Sequence, residues 1–275
     1  MPIVSAPPAA PDSADDKGPD DDVLVAALGA PGLTDRLAVH YRPIVTLTTG
    51  VVASIAARIR FTDPVLAQAP PKRVVQLAEQ TGAIVPIGAW LIREAVDELA
   101  EILQTARPEG PVGLSVKVST PELADEGFAA RVAEALTSTG VSPDVLVLEL
   151  THPPTAASPE SAANLQRLRS MGVMLAVDES SMGPEAMSQL RALRIGEMRI
   201  APEICHGAPV NADDRATLSS IVGLARALGL VTVATGIQNA EQFDTARTLG
   251  VDRAQGALLG SPVPLDELLT WMKPR

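Results

Sequence analysis

A single cysteine, Cys205, stands in 275 residues, so no intrachain disulfide can form and a zinc site built on paired cysteines is excluded. Phe, Trp and Tyr together make up only 2% of the chain, which leaves little material for stacking nucleobases. Net basicity is missing as well. With 33 acidic against 22 basic side chains the formal charge is −11, the wrong sign for a protein that tracks a phosphate backbone, and polymeric nucleic acid is not an expected partner. No uncharged apolar run approaches about 18 residues, and no basic segment followed by an apolar stretch opens the chain, so neither membrane insertion nor export is expected. A reducing cytoplasm is the compartment that fits these absences.

What is present is a large apolar fraction, 46%, supplied by Ala, Val, Leu and Ile rather than by aromatics. That suffices for the core of one large α/β domain. Residues 1–21, MPIVSAPPAAPDSADDKGPDD, mix Pro, Ala and Asp without periodicity and read as a disordered acidic tail, because they carry too little apolar surface to offset the entropy of ordering. The domain itself is expected over 22–275.

From residue 22 the pattern alternates. HYRPIVTL and VVASIAARIRF flank Thr48-Thr49-Gly50 and read as a β-hairpin. Helices are expected at about 71–80 and 84–104, then a strand at GLSVKVS and a helix over 121–138 with Phe128, Val132 and Leu136 on one face. A helix near 184–192 leads to the strand EMRIA. Leu218, Ile221, Val222 and Ala225 mark a helix over 213–229 ending at Gly229, followed by the strand LVTVATG. A helix over 239–249, a short strand in RAQGALL and a helix over 264–273 close the chain. About seven strand–helix alternations predict a TIM-like (β/α)8 barrel with one antiparallel strand near the N-terminus; an open doubly wound sheet is the alternative.

The chemistry gathers around residues 144–179. DVLVLELTH and GVMLAVDES are apolar runs that stop at acids, Glu149 in the first and Asp178 with Glu179 in the second, and the helix between them makes the two strands parallel. Parallel strands deliver their carboxyl ends to one side, where barrel active sites lie. Lys117, Glu149, Asp178, Arg199, Thr235 and Gln255 are expected to converge there. His152 reads as a loop histidine, His40 and His206 lack partners at ligand spacing, and Cys205 reads as a small buried side chain.

The ordered segments HYRPIVTLTTG, SIAARIRF, VKVS, LELTH, VDESSMG, MRIAPEI, ATGIQ and AQGALLGSP resemble the EAL-domain family, bacterial phosphodiesterases that linearise cyclic di-GMP on a (β/α)8-like barrel. The resemblance covers about residues 22–275. Position by position it also departs. The naming motif Glu-Ala-Leu falls on Ala56-Ala57-Arg58, so the metal-binding Glu is Ala56. Val-Asn-Leu-Ser becomes Val116-Lys117-Val118-Ser119. Glu149 matches a metal ligand and Asp178 the first Asp of Asp-Asp-Phe-Gly, with Glu179 in the second position and Ser180-Ser181 for Phe-Gly. Arg199 stands where the resemblance implies a catalytic Lys, Ala201 follows where an Asp is usual, and Ala234-Thr235-Gly236-Ile237-Gln238 lacks both acids of Ala-Glu-Gly-Val-Glu; Arg60 and Gln255 match.

A magnesium or manganese ion needs oxygen ligands in near-octahedral array, and alanine supplies none. A lysine at the ligand position is worse, since two unit charges about 4 Å apart repel by ~4 kcal/mol at an effective dielectric of ~20. The expectation is thus a degenerate EAL-like domain with no intact catalytic set and no cofactor, in which Glu149, Asp178 and Glu179 are vestigial metal ligands held by Lys117 and Arg199. It would act as a regulatory or protein-interaction module in cyclic di-GMP-related signalling. The alternatives are a phosphodiesterase using Mg²⁺ or Mn²⁺, and a metal-independent cyclic dinucleotide receptor with phosphates on Arg60, Lys117, Arg199 and Gln255. Expected partners are cyclic di-GMP, a signalling protein and a second copy of the chain.

Overall fold

The structure, a computed structural model, describes residues 18–105, 112–151, 158–178 and 195–272. Eight strands close into one barrel in sequence order: β1 (Leu37–Thr46), β2 (Val52–Phe61), β3 (Gly113–Val118), β4 (Leu146–Leu150), β5 (Met174–Asp178), β6 (Glu197–Ile200), β7 (Val231–Ala234) and β8 (Arg253–Ala254). β1 runs antiparallel to both of its neighbours, β2 and β8, while β2 through β8 are mutually parallel. The expected hairpin supplies the one reversed strand, because its short turn lets β2 return directly beside β1 without a crossover helix.

Around the barrel lie α1 (Asp21–Leu28), α2 (Pro71–Thr81), α3 (Ile84–Thr105), α4 (Thr120–Leu123), α5 (Phe128–Thr139), α6 (Pro159–Met171), α7 (Pro202–Gly207), α8 (Ala212–Leu228), α9 (Ala240–Thr248) and α10 (Leu265–Met272). Their ends follow local chemistry. Ser158 caps α6 by accepting from Ser161 N at 3.2 Å with Pro159 in the first turn, and Asn211 caps α8 by accepting from Asp213 N at 2.8 Å. Gly172 and Gly229 close these helices in the left-handed conformation, φ 94° and 71°.

Strand alternation divides the residues into two sets. Leu114, Val116 and Val118 of β3 and Leu146, Leu148 and Leu150 of β4 join Leu99, Phe128, Val132 and Leu168 in the main core between barrel and helices. The intervening Ser115, Lys117 and Glu149 therefore face the barrel axis. A second core lies around Ile200, Leu218, Val222 and Ile237, and a third joins α1 and α2 to Phe61 and Leu66.

Several expectations need correction. The helix read over 121–138 is two helices, α4 and α5, separated by a turn in which Asp125 Oδ2 accepts from Gly127 N at 3.1 Å and binds Arg131. The strand in RAQGALL is only Arg253–Ala254. The short helices α1 and α7 had no counterpart in the sequence reading. Asp21 is the first residue of α1 and pairs with Arg73 at 2.6 Å, whereas residues 1–17 and the helix read near 184–192 lie outside the described residues.

Two positions make measurable demands. Gly256 follows β8 where a Cβ would come within 2.0–2.6 Å of the Ile237 backbone, so Gly256→Ala should cost about 1–3 kcal/mol or more in urea denaturation. Gly223 is exposed in the middle of α8 with nothing near its missing Cβ, and Gly223→Ala should gain about 0.5–1 kcal/mol. Equal effects at the two sites would contradict this packing.

Glu122 is buried at the foot of α4, its Oε2 accepting from Ser119 N at 2.8 Å and from Ser119 Oγ at 2.5 Å, over the space that Gly88 leaves in α3. Burial pushes its carboxyl up to about 7. Because the folded value exceeds the unfolded one, the stability gained from holding the proton is complete below about pH 4.5 and is lost as pH rises through 7, about 3 kcal/mol in all. Glu122→Gln should flatten that decline in denaturation midpoints between pH 5 and 8; an unchanged slope would exclude Glu122 as its source.

Candidate functional site

The inward set defines the site. On β3 and β4, Lys117 and Glu149 are direct register partners; on β5 and β6, Asp178 is opposite Arg199 and Ala176 opposite Glu197. Lys117 Nζ lies 3.3 Å from Glu149 Oε1. Arg199 is 1% exposed and is among the largest fully buried side chains, and its Nε lies 3.7 Å from Glu149 Oε2. Its Nη2 sits 3.0 Å from Glu197 Oε2 and donates to Ser115 Oγ at 2.8 Å. Arg253 Nη1 donates to Glu197 Oε1 at 2.5 Å. The result is an alternating chain of charges, Lys117–Glu149–Arg199–Glu197–Arg253, drawn from β3, β4, β6 and β8.

Burial raises the cost of ionising Glu149, yet Arg58, Arg199 and Lys117 together outweigh it and hold the carboxyl below its usual value. Glu149 is therefore a carboxylate at neutral pH with its counter-charge supplied by the chain.

Ala56 is fully buried and packs with Ile44 and Val233 in a small apolar cluster. Arg58 and Arg60 continue the same face of β2 toward its carboxyl end; Arg58 is half-buried and Arg60 exposed. Arg42 projects from β1 opposite Ala56, half-buried, and burial together with the nearby Arg58 lowers its pKa. Gln255 is buried just beyond β8, with Oε1 unpartnered among the described residues. Thr235 Oγ1 is used structurally, donating to Ile200 O at 2.7 Å.

Of the expected residues, Lys117, Glu149 and Arg199 are brought together, with Asp178 the register partner of Arg199; Gln255 follows the last strand and Arg60 is exposed on β2, neither with a contact to that cluster among the described residues, and Glu179 and His152 lie outside the described residues. Glu197, Arg253 and Arg42 were missed. Glu197 is two residues from Arg199, so strand alternation alone places both on one face, and Arg42 is two before the inward Ile44. His206 Nε2 lies 2.7 Å from Gly236 O, and Cys205 is buried, both within the packing of α7.

A divalent cation does not fit this donor set. Glu149 is flanked by an ammonium and a guanidinium, Ala56 contributes no oxygen, and among the described residues no group of three His, Cys, Asp or Glu side chains is placed to hold a metal. What the arrangement does provide is a surplus of guanidinium and ammonium donors around a buried carboxylate pair.

Comparisons with known proteins agree with the architecture. A bifunctional diguanylate cyclase/cyclic di-GMP phosphodiesterase, MucR of Pseudomonas aeruginosa, is 31% identical over 235 residues, covering 85% of this chain and 34% of MucR. The oxygen sensor protein DosP of Escherichia coli is 31% identical over 251 residues, covering 91% of this chain and 31% of DosP. The chain thus spans about a third of the length of these relatives. A solved structure of the PaMucR phosphodiesterase in complex with c-di-GMP superposes with a TM-score of 0.81 at 30% identity, covering 90% of this chain and 99% of that one. The family model for the EAL domain matches residues 27–262. With a match over most of its length, on a closed barrel with the one antiparallel strand, the chain belongs to the EAL-domain family.

Proposed function

We propose that this chain is a catalytically inactive EAL domain that serves as a regulatory or protein-interaction module in cyclic di-GMP-related signalling. The observation that carries the reading is the Lys117–Glu149–Arg199 cluster: the carboxylate that matches a metal ligand is already paired on both sides, at 3.3 and 3.7 Å. Ala56 adds to it, because the position that matches the naming Glu lies in an apolar cluster with Ile44 and Val233. Metal-assisted hydrolysis requires an ion that both generates hydroxide and clamps the phosphodiester, and these side chains offer it neither ligands nor net negative charge. Phosphodiesterase activity in relatives named as such therefore does not carry over with the fold.

Removing the chemistry while keeping the barrel leaves recognition as the retained property. The effector would be a protein of the same signalling system or a second copy of this chain.

Purified protein incubated with cyclic di-GMP and Mg²⁺ or Mn²⁺ should yield no linear product by chromatography. Multiple turnovers that vanish in Glu149→Ala would overturn the reading. Restoring ligands with Ala56→Glu and Lys117→Asn together should increase Mn²⁺ affinity in calorimetry without restoring turnover, because Arg199, Ala201, Thr235 and Gln238 remain; turnover in that double variant would show that the two substitutions alone silence the site.

A further inference from the structure

We propose that the groove between β1, α3 and α10, on the outside of the barrel, binds an extended segment of a partner protein that carries Lys or Arg beside apolar side chains; this deepens the reading of the chain as an interaction module and rests on it. The groove follows from how the chain ends its last turn around the barrel. Val263 pairs with Tyr41, its O accepting from Tyr41 N at 2.7 Å and its N donating to Tyr41 O at 3.0 Å, and Pro264 then turns the chain into α10. Leu37 and Val39 precede Tyr41 by four and two residues, so their backbone N–H and C=O groups point to the same side, away from β2. On that side, among the described residues, β1 meets only Val263 at Tyr41 and β8 at Val45 and Thr46. Leu37 and Val39 are left as a strand edge with no strand beside it.

This edge opens onto a cavity of about 450 Å³. Its apolar lining comes from Leu37 and Val39 of β1, Trp90 of α3, and Leu265 and Leu269 of α10, and the last three are only part-buried. Its charged lining is of one sign: Glu94, Glu98 and Glu101 of α3 and Asp266 of α10. The three glutamates stand at i, i+4 and i+7, so α3 presents a line of carboxylates roughly 10 Å long at about 1.5 Å per residue. None of the four acids forms an ion pair with a Lys or Arg among the described residues. Glu98 accepts a hydrogen bond from the Tyr41 hydroxyl, and burial together with Glu94 and Glu101 pushes its carboxyl up although that bond opposes the shift.

The charge selects the occupant. Like charges at helical spacing cost stability, and a chain of net charge −11 supplies this face with no cation among its described residues. A metal ion is not the complement, because no three His, Cys, Asp or Glu side chains among the described residues are gathered to hold one. A row of Lys or Arg side chains is, and Trp90, Leu265 and Leu269 offer apolar surface to their aliphatic stems and to apolar neighbours in the same segment. The open edge adds main-chain donors and acceptors that only another polypeptide can match. Strand addition takes affinity from main-chain hydrogen bonds and specificity from the side chains beside them, which here must be basic. All of these residues belong to the outer layer, so the groove works independently of the charges inside the barrel.

The test uses the whole chain carrying Trp271→Phe, in which Trp90 is the sole tryptophan and its fluorescence reports on the groove. The probe is a short capped peptide of Lys and Val, the Val favouring an extended chain. It should shift the Trp90 emission saturably and bind more weakly as NaCl is raised. Glu94→Lys with Glu101→Lys should weaken binding about tenfold or more, whereas Glu126→Lys with Glu134→Lys, which changes the net charge equally at exposed positions elsewhere, should not, with folding checked by circular dichroism. The N-methylated peptide, which keeps its charges and loses its main-chain donors, should bind about tenfold more weakly to the unaltered groove. No binding of the Lys–Val peptide, equal losses in the two charge-reversed pairs, or unchanged binding of the N-methylated peptide would each overturn the proposal. So would spermidine binding beside Trp90 as tightly as the peptide, or a dimer in sedimentation that Glu94→Lys with Glu101→Lys dissociates, since the occupant would then be a polyamine or a second copy. Turnover of cyclic di-GMP would instead overturn the non-catalytic reading while peptide binding persisted, so the two failures are separable.

Discussion

A carboxylate held inside a closed barrel must find a positive partner or give up its charge, and this requirement organises the open end of the molecule. Glu149 is 3% exposed and ionised; the partners that keep it so are Lys117, Arg58 and Arg199 from three other strands. Arg199 in turn could not lie fully buried without Glu197, and Glu197 spans to Arg253 on the last strand. The alternating chain therefore links β3, β4, β6 and β8 across the interior, while the apolar side of each strand is committed to the helices. Such a network has little tolerance for loss of a single member, because the remaining charges stay buried.

This frame accounts for the contrast between fold and site. The barrel is specified by many residues, among them the outward Leu and Val positions of the strands and the capped ends of α6 and α8. The site is specified by a few inward ones. Changing Glu to Ala at position 56, or placing Lys at 117 and Arg at 199, leaves the outer core untouched because inward and outward sets alternate. The same barrel can thereby carry a metal centre or an internal ion-pair network, and the family relation established by sequence and fold does not decide between them.

Much of the fold was legible because the strands are short apolar runs ending at polar residues and the hairpin has its Gly-containing turn. The acids Glu149 and Asp178 were legible for the same reason. The break between α4 and α5 had a signal, Ser119-Thr-Pro-Glu122, whose reciprocal serine–glutamate geometry starts a new helix, but the apolar spacing of Phe128, Val132 and Leu136 drew the helix back through it. Glu197 was overlooked because it opens its strand, EMRIA, whereas the candidate site was sought only at the residues that end the strands. Arg42 was overlooked because its role depends on which face of β1 turns inward, and that is set by closure onto β8, a contact between residues more than two hundred apart in sequence.

A double-mutant cycle on Arg199 and Glu149 in urea denaturation tests most directly whether the chain itself supplies the counter-charge. Arg199→Leu alone should cost about 3–5 kcal/mol by leaving Glu149 and Glu197 buried without it, and combining it with Glu149→Leu should cost clearly less than the two single losses added together. Losses that simply add would mean that Arg199 and Glu149 do not hold each other, and that the carboxylate at the barrel mouth is balanced by something other than this internal network.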